Sequence, residues 1–217
     1  MQAVNTFLLV LAAIFPIVNP PGSALVFLAL TRGMRPEIRR TLARRVALNA
    51  FAVLVGSLLL GALILRLYGI SIPVLRVAGG FIVAVAGWEL LREGSRKNVD
   101  AAPDGAADPL SQAFYPLTLP LTTGPGTIAV MITLGLSNMS HDPENAMIFL
   151  FASLLAIAVM AVTIFWSFAY ADRIQRLLGP GGTDIAVRLS AFILFCLGVQ
   201  ILWSGASELL MSAVHGT

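Results

Sequence analysis

The sequence predicts an all-α, polytopic membrane protein: six transmembrane helices arranged as two inverted three-helix repeats, with helices 1 and 4 broken at mid-membrane. Composition, the alternation of basic loops, and a matched pair of Gly/Pro interruptions carry that expectation. Of 217 residues, 58% are apolar and 12% charged, with a mean hydropathy of +0.88. Soluble domains average about 45–50% apolar and about 25% charged residues, so too few polar side chains remain to coat a soluble globule. A spanning helix takes about 20 residues, so the chain holds six or seven and has no room for a separate extramembrane catalytic or nucleic-acid-binding domain. The pI is near 9.6, but a net charge of +3 argues against a nucleic-acid surface. Cys196, His141 and His215 are too few for a zinc site or a disulfide framework.

The first apolar stretch, Ala3 to Leu30, is interrupted by Asn19-Pro20-Pro21-Gly22. It has no basic leader and no small-residue cleavage site, and it reads as a retained helix, not a signal peptide. The second, Val46 to Leu65, is bounded by Arg44-Arg45 and Arg66. The third follows Pro73, a residue suited to a helical first turn, and reaches about Leu91 with Arg76 and Glu89 near its ends. The fourth, Phe114 to Leu136, is interrupted by Thr123-Gly124-Pro125-Gly126. The fifth is Ala146 to Tyr170, and the sixth runs from Leu189 to Leu210 with Glu208 at its end. Residues 1–93 then form the first repeat, 94–109 a polar cytoplasmic linker, and 110–217 the second repeat, all within one integral membrane domain.

Lys and Arg accumulate in cytoplasmic loops. The first loop holds Arg32, Arg35, Arg39, Arg40, Arg44 and Arg45; the third holds Arg92, Arg96 and Lys97; the fifth holds Arg173 and Arg176, with Arg188 at its far end. Only Arg66 and Arg76 fall on the other side. Six helices with both termini outside satisfy this alternation, and the arginines read as topological and electrostatic anchors.

The two interruptions align without a gap: Pro16-Ile17-Val18-Asn19-Pro20-Pro21-Gly22-Ser23 against Pro120-Leu121-Thr122-Thr123-Gly124-Pro125-Gly126-Thr127. Arg66-Leu67-Tyr68-Gly69 matches Arg176-Leu177-Leu178-Gly179, and Arg76 matches Arg188. Three helices per half is an odd number, so the second half starts on the opposite side of the membrane. Broken helices at matching positions of inverted halves point to a secondary transporter and to its binding site.

Proline has no N–H and clashes with the preceding turn, so each break frees backbone groups at a depth where lipid cannot satisfy them. Asn19 and Thr123 are expected at the N-caps of the resumed half-helices, whose positive dipole ends and free N–H groups suit a carboxylate. Carbonyls ending the preceding half-helices suit an ammonium or a cation. The candidate substrate-binding residues are Asn19, Pro20, Pro21, Gly22, Ser23, Thr122, Thr123, Gly124, Pro125, Gly126 and Thr127. A simple proline kink is the plainer alternative.

Phe15 to Gly22, Phe114 to Ile128 and Arg76-Val77-Ala78-Gly79-Gly80 together resemble the MarC family of six-helix bacterial inner-membrane proteins, and the resemblance spans essentially the whole chain. It implies a multi-pass inner-membrane protein that transports small neutral amino acids; the family name records an association with multiple antibiotic resistance. Pro21 departs from the family pattern, in which an aliphatic residue more often follows Asn-Pro.

Arg76 and Arg188 stand near opposite membrane faces, as snorkelling side chains or as gating contacts for a substrate carboxylate. Glu89 is either an i,i+3 partner of Arg92 or a proton-coupling carboxylate. Asn49 and Gln200 are isolated polar groups suited to interhelical hydrogen bonds or to ligation. Gly79-Gly80 with Ala84, and Ala152 with Ala156, permit close helix packing, and Cys196 reads as a small packing residue. No Asp, Glu, His or Lys falls near the expected midplane, which argues against an enzyme and against a carboxylate proton relay. No cofactor is expected. Sodium or a proton is the candidate coupling ion, and the bilayer and a small solute are the expected partners. An exporter or channel for another solute, or a non-transporting structural or regulatory membrane protein, is the alternative.

Overall fold

Prolines and glycines cut the apolar runs into helices, and no strand occurs among the described residues. The structure, a computed structural model, describes residues 1–31, 33–93, 113–114, 117–138 and 143–215. The linker 94–109, Arg32, His141 and Asp142 lie outside them. The elements are α1 (Gln2–Val18), α2 (Pro20–Leu30), α3 (Pro36–Tyr68), α4 (Ile72–Glu93), a π-helical segment (Leu117–Thr122), α5 (Pro125–Asn138), α6 (Pro143–Ala169) and α7 (Ala171–His215).

Five stretches are long and apolar enough to cross a bilayer: Gln2–Leu28, Pro36–Tyr68, Ile72–Glu89, Pro143–Ala169 and Asp184–Val214. The fourth apolar run of the sequence is instead divided. Leu119 leaves helical geometry at φ −109° and ψ 125°, the extended conformation that a following proline, here Pro120, imposes. The 14 residues of α5 span about 21 Å, short of the roughly 30 Å hydrocarbon core.

Helix α3 begins well before the apolar run that marks it in the sequence. Pro36 occupies its first turn with Glu37, and arginine is a good helix former, so Arg39, Arg40, Arg44 and Arg45 ride on the helix rather than in a loop. The other end is closed by Gly69 at φ 65°, ψ 23°. The Gly69 N–H donates to the Arg66 carbonyl at 3.3 Å and the Ile70 N–H to the Leu65 carbonyl at 2.9 Å, the two bonds of a Schellman cap. Helix α7 breaks at Gly179, φ 66° and ψ 176°, which separates residues 171–178 from the long remainder.

Large apolar side chains face outward: Leu59, Leu60 and Leu63 on α3, Phe151 and Leu155 on α6, Phe192 and Trp203 on α7. Cys196 is also exposed, so it lies on the outer face of α7 and not in a packed seam. Contacts between helices use smaller groups, as expected where lipid gives no hydrophobic drive for association. The most extensive interface is antiparallel, between α4 and α7. A Cβ added at Gly80, Gly87, Gly198 or Gly205 would fall within 3 Å of backbone atoms of the facing helix. Gly80 and Gly87 on α4, and Gly198 and Gly205 on α7, each recur after one heptad, so the backbones meet along a single stripe. A second body of packing joins α1, α2, α3 and α6 around Ile14, Phe27, Leu54, Ile157 and Phe168. There the Phe27 and Phe168 rings stack with centroids 4.5 Å apart.

Candidate functional site

Asn19 is the pivot of the first break. At φ 45° and ψ 62° it is the one non-glycine residue with positive φ among the described residues, a conformation that asparagine tolerates better than most. Its N–H closes α1 on the Phe15 carbonyl at 2.8 Å, and its carbonyl accepts the Ser23 N–H at 2.9 Å. The Asn19 Oδ1 accepts the Gly22 N–H at 3.3 Å, as the sequence leads one to expect of an N-cap. The Ser23 hydroxyl donates back across the break to the Val18 carbonyl at 2.8 Å. Every N–H of the first turn of α2 is therefore absent, at Pro20 and Pro21, or already used. The groups left over are acceptors: the Pro16 and Ile17 carbonyls, whose helical donors would be Pro20 and Pro21, have no main-chain donor.

The second break differs in what it leaves unpaired. Thr118 and Thr122 each donate a hydroxyl to the carbonyl five residues back, Ala113 and Leu117, both at 2.7 Å. The Thr123 N–H reaches the Thr118 carbonyl at 2.8 Å. The Thr118 and Thr122 hydroxyls cap carbonyls of the preceding turn; the Leu121 carbonyl, whose helical donor would be Pro125, has no main-chain donor. Helix α5 starts at Pro125, and the Ile128 N–H takes the Gly124 carbonyl at 3.2 Å. The N-cap is consequently Gly124; Thr123 stands one residue too early to cap. Its hydroxyl is fully buried and has no hydrogen-bond partner among the described residues. The Gly126 and Thr127 N–H groups, in the first turn of α5, have no partner among the described residues either. This break leaves donors free as well as an acceptor.

Thr122, Thr123, Gly126 and Thr127 are buried, as are Pro20, Gly22 and Ser23; Asn19, Gly124 and Pro125 are half-buried. Pro21 is exposed. Helix α1 touches α5, and α2 touches the π-helical segment, so the elements carrying the two breaks adjoin. Gly22 lies against Ser190 of α7, and Gly126 against Val83 and Gly79 of α4.

A model described as the MarC family integral membrane protein matches residues 4–210. The chain belongs to the MarC family. It is 32% identical over 200 residues to a UPF0056 membrane protein of Archaeoglobus fulgidus, covering 92% of this chain and 91% of the relative. It is 32% identical over 207 residues to the UPF0056 inner membrane protein MarC of Citrobacter koseri, covering 92% and 93%. The corresponding protein of Salmonella typhimurium is 31% identical over 207 residues, with the same coverage. No solved structure matches the chain. Together with the apolar helices, these relatives make this MarC protein a multi-pass inner-membrane protein.

Arg76 and Arg188 of this MarC chain are used differently. Arg76 Nη1 binds Glu208 Oε2 at 2.5 Å, linking α4 to α7. Arg188 Nε binds Asp184 Oδ2 at 2.9 Å within its own helix. Glu89 is exposed on α4. Among the described residues no group of three or more His, Cys, Asp or Glu side chains is placed to hold a metal ion.

Arg39 is a residue that sequence reasoning missed, because it sits in a run of arginines that all look alike. Its side chain is only 13% exposed and pairs with Asp172 at 2.5 Å. Its Nη2 also donates to the Thr31 carbonyl at 3.3 Å, so one guanidinium ties α3 to the end of α2 and to the start of α7. Asp172 lies 133 residues away, a separation that no local pattern announces.

Proposed function

We propose that this MarC protein is a secondary membrane transporter of small solutes, small neutral amino acids above all, which binds its substrate between the two helix breaks. The observation that carries the reading is their unlike sets of unpaired groups: only acceptors at break one, donors as well at break two. Break one offers the undonated Pro16 and Ile17 carbonyls; break two offers the Thr123 hydroxyl and the Gly126 and Thr127 N–H groups. A zwitterion needs both, acceptors for its ammonium and donors for its carboxylate. Hydrogen bonds to charged groups contribute about 1.5–3 kcal/mol each, so a few of them suffice to hold a molecule with almost no apolar surface. Neutral backbone groups also avoid the desolvation that fixed charges would impose at this depth.

In this reading the chain crosses the membrane six times, with the π-helical segment and α5 together forming the fourth crossing and both termini outside. The basic first turns of α3 then face the cytoplasm. Two inverted halves are supported by Gly69 and Gly179, which end matching sequences with φ of 65° and 66°. They are supported also by the cross-over packing of Gly22 on α7 and Gly126 on α4. The chain acts as a carrier and not an enzyme, with the bilayer and the solute as its partners and no role for nucleic acid.

Uptake and efflux of labelled glycine, alanine and serine in proteoliposomes test this. Saturable flux, lost in Gly126→Leu while the variant still inserts in the membrane, is the expected result. No flux in either direction overturns the reading and leaves a structural or regulatory membrane protein; flux of a different solute alone makes it an exporter or channel for that solute. Sodium and proton gradients varied separately in the same assay identify the coupling ion.

A further inference from the structure

A cavity of about 240 Å³ lies between α4, α5 and α7, away from the breaks but on the same face of α5. Its walls include Arg76 of α4, Ala129, Val130 and Thr133 of α5, and Gln200 and Ser204 of α7. Gly126, Ala129, Val130 and Thr133 follow helical i, i+3, i+4, i+7 spacing, so one stripe of α5 runs from the buried break into this cavity, over roughly 10 Å. Gln200, Ser204 and Glu208 recur every four residues on α7 and form a polar line toward Arg76.

Arg76 commits only Nη1 of its planar fork, to Glu208; Nη2 and Nε have no partner among the described residues. A guanidinium with free N–H groups is suited to a carboxylate. Glu208, held at 2.5 Å from it, sets a negative charge beside that site. A plain anion would be drawn by Arg76 and repelled by Glu208, and a plain cation would meet the reverse. A molecule carrying both charges a short distance apart matches the pair. The volume is below the roughly 300–1,000 Å³ of pockets for drug-sized ligands, so the occupant is small.

We infer that this cavity is a recognition site for small zwitterions at the outer end of the α5 stripe, where the solute pauses before reaching the breaks. Arg76 takes its carboxylate, Glu208 its ammonium, and Gln200 and Ser204 the remaining polar contacts. The inference rests on the transport reading for its direction, and the experiment separates the two.

In a Cys196→Ser background, Ser204→Cys in the full chain is labelled from outside intact cells with a membrane-impermeant thiol reagent. Alanine is expected to protect it, and propionate or ethylamine to protect it poorly. Arg76→Gln should raise the alanine concentration for half-protection at least tenfold. Glu208→Gln should weaken alanine and make propionate protective, an exchange of preference that loss of a merely structural ion pair does not produce. Should Ser204→Cys fail to fold, Thr133→Cys on the facing wall reports the same protection. No labelling from outside, or labelling that no neutral amino acid blocks while proteoliposomes still show flux, overturns the recognition site and leaves transport standing. Protection without flux keeps the site and overturns transport. Equal effects of Arg76→Gln and Glu208→Gln, with no gain for propionate, reduce the pair to a structural tie.

Discussion

Replacing Thr123 by valine should stabilise the protein and disable it at once. The Thr123 hydroxyl is fully buried without a partner among the described residues, which costs about 1–3 kcal/mol relative to a site where it is satisfied. Valine keeps the branched shape and removes the stranded group. A gain of about 1–2 kcal/mol is expected for the substrate-free protein, or about 2–8 °C in Tm for a chain of this size. If the hydroxyl is held open for a substrate carboxylate, the same change removes a charge-assisted hydrogen bond of about 1.5–3 kcal/mol, weakening substrate binding about 10- to 150-fold. Thr122→Val supplies the opposite control. Its hydroxyl reaches the Leu117 carbonyl at 2.7 Å, so that variant should be destabilised by about 1 kcal/mol or more. Thermal unfolding of purified protein, with and without alanine, combined with uptake in proteoliposomes, reads both signs. A destabilised Thr123→Val, or one that transports alanine normally, would refute the argument that this hydroxyl waits for a ligand.

Two further substitutions probe the frame around the site. Gly198→Val places a branched side chain where α7 meets the α4 backbone at Ala84; it should cost about 3 kcal/mol or more and lower Tm in detergent, whereas Cys196→Val on the exposed face of α7 should be near neutral. Arg39→Ala should destabilise by about 2 kcal/mol, through the loss of its bonds to Asp172 and Thr31. The exposed Arg40, replaced in the same way, should leave stability within about 0.5 kcal/mol of the parent.

Covalent chemistry made much of this architecture readable in advance. Proline removes a donor wherever it stands, so the breaks at Asn19-Pro20 and Gly124-Pro125 are visible in the sequence. Asparagine's tolerance of the left-handed region then identifies Asn19 as the pivot. The unlike sets of unpaired groups at the breaks were not visible, because they depend on which hydroxyl turns back to which carbonyl. Thr118 and Thr122 bond within the chain while their neighbour Thr123 does not. Hydropathy also put the start of α3 too late, since a window that seeks apolar residues cannot follow a helix into a run of arginines. The glycine stripe was half legible: Gly80 invited close packing, but its counterparts Gly198 and Gly205 sit in another part of the chain. Arg76 and Glu208, 132 residues apart, share no local pattern that would pair them.

The α4 and α7 stripe bears on how the molecule is made. Gly80 and Gly198 meet across the fold, but at about 5–20 residues per second the ribosome delivers the second roughly 5–25 s after the first. During that interval α4 lies in the bilayer with its glycine face against lipid, and the mouth of α5 has only half of its surroundings. The last helix therefore closes the structure, and a chain arrested before α7 should reach the membrane as an unfinished bundle, open to quality-control proteases along the very face that α7 would have covered.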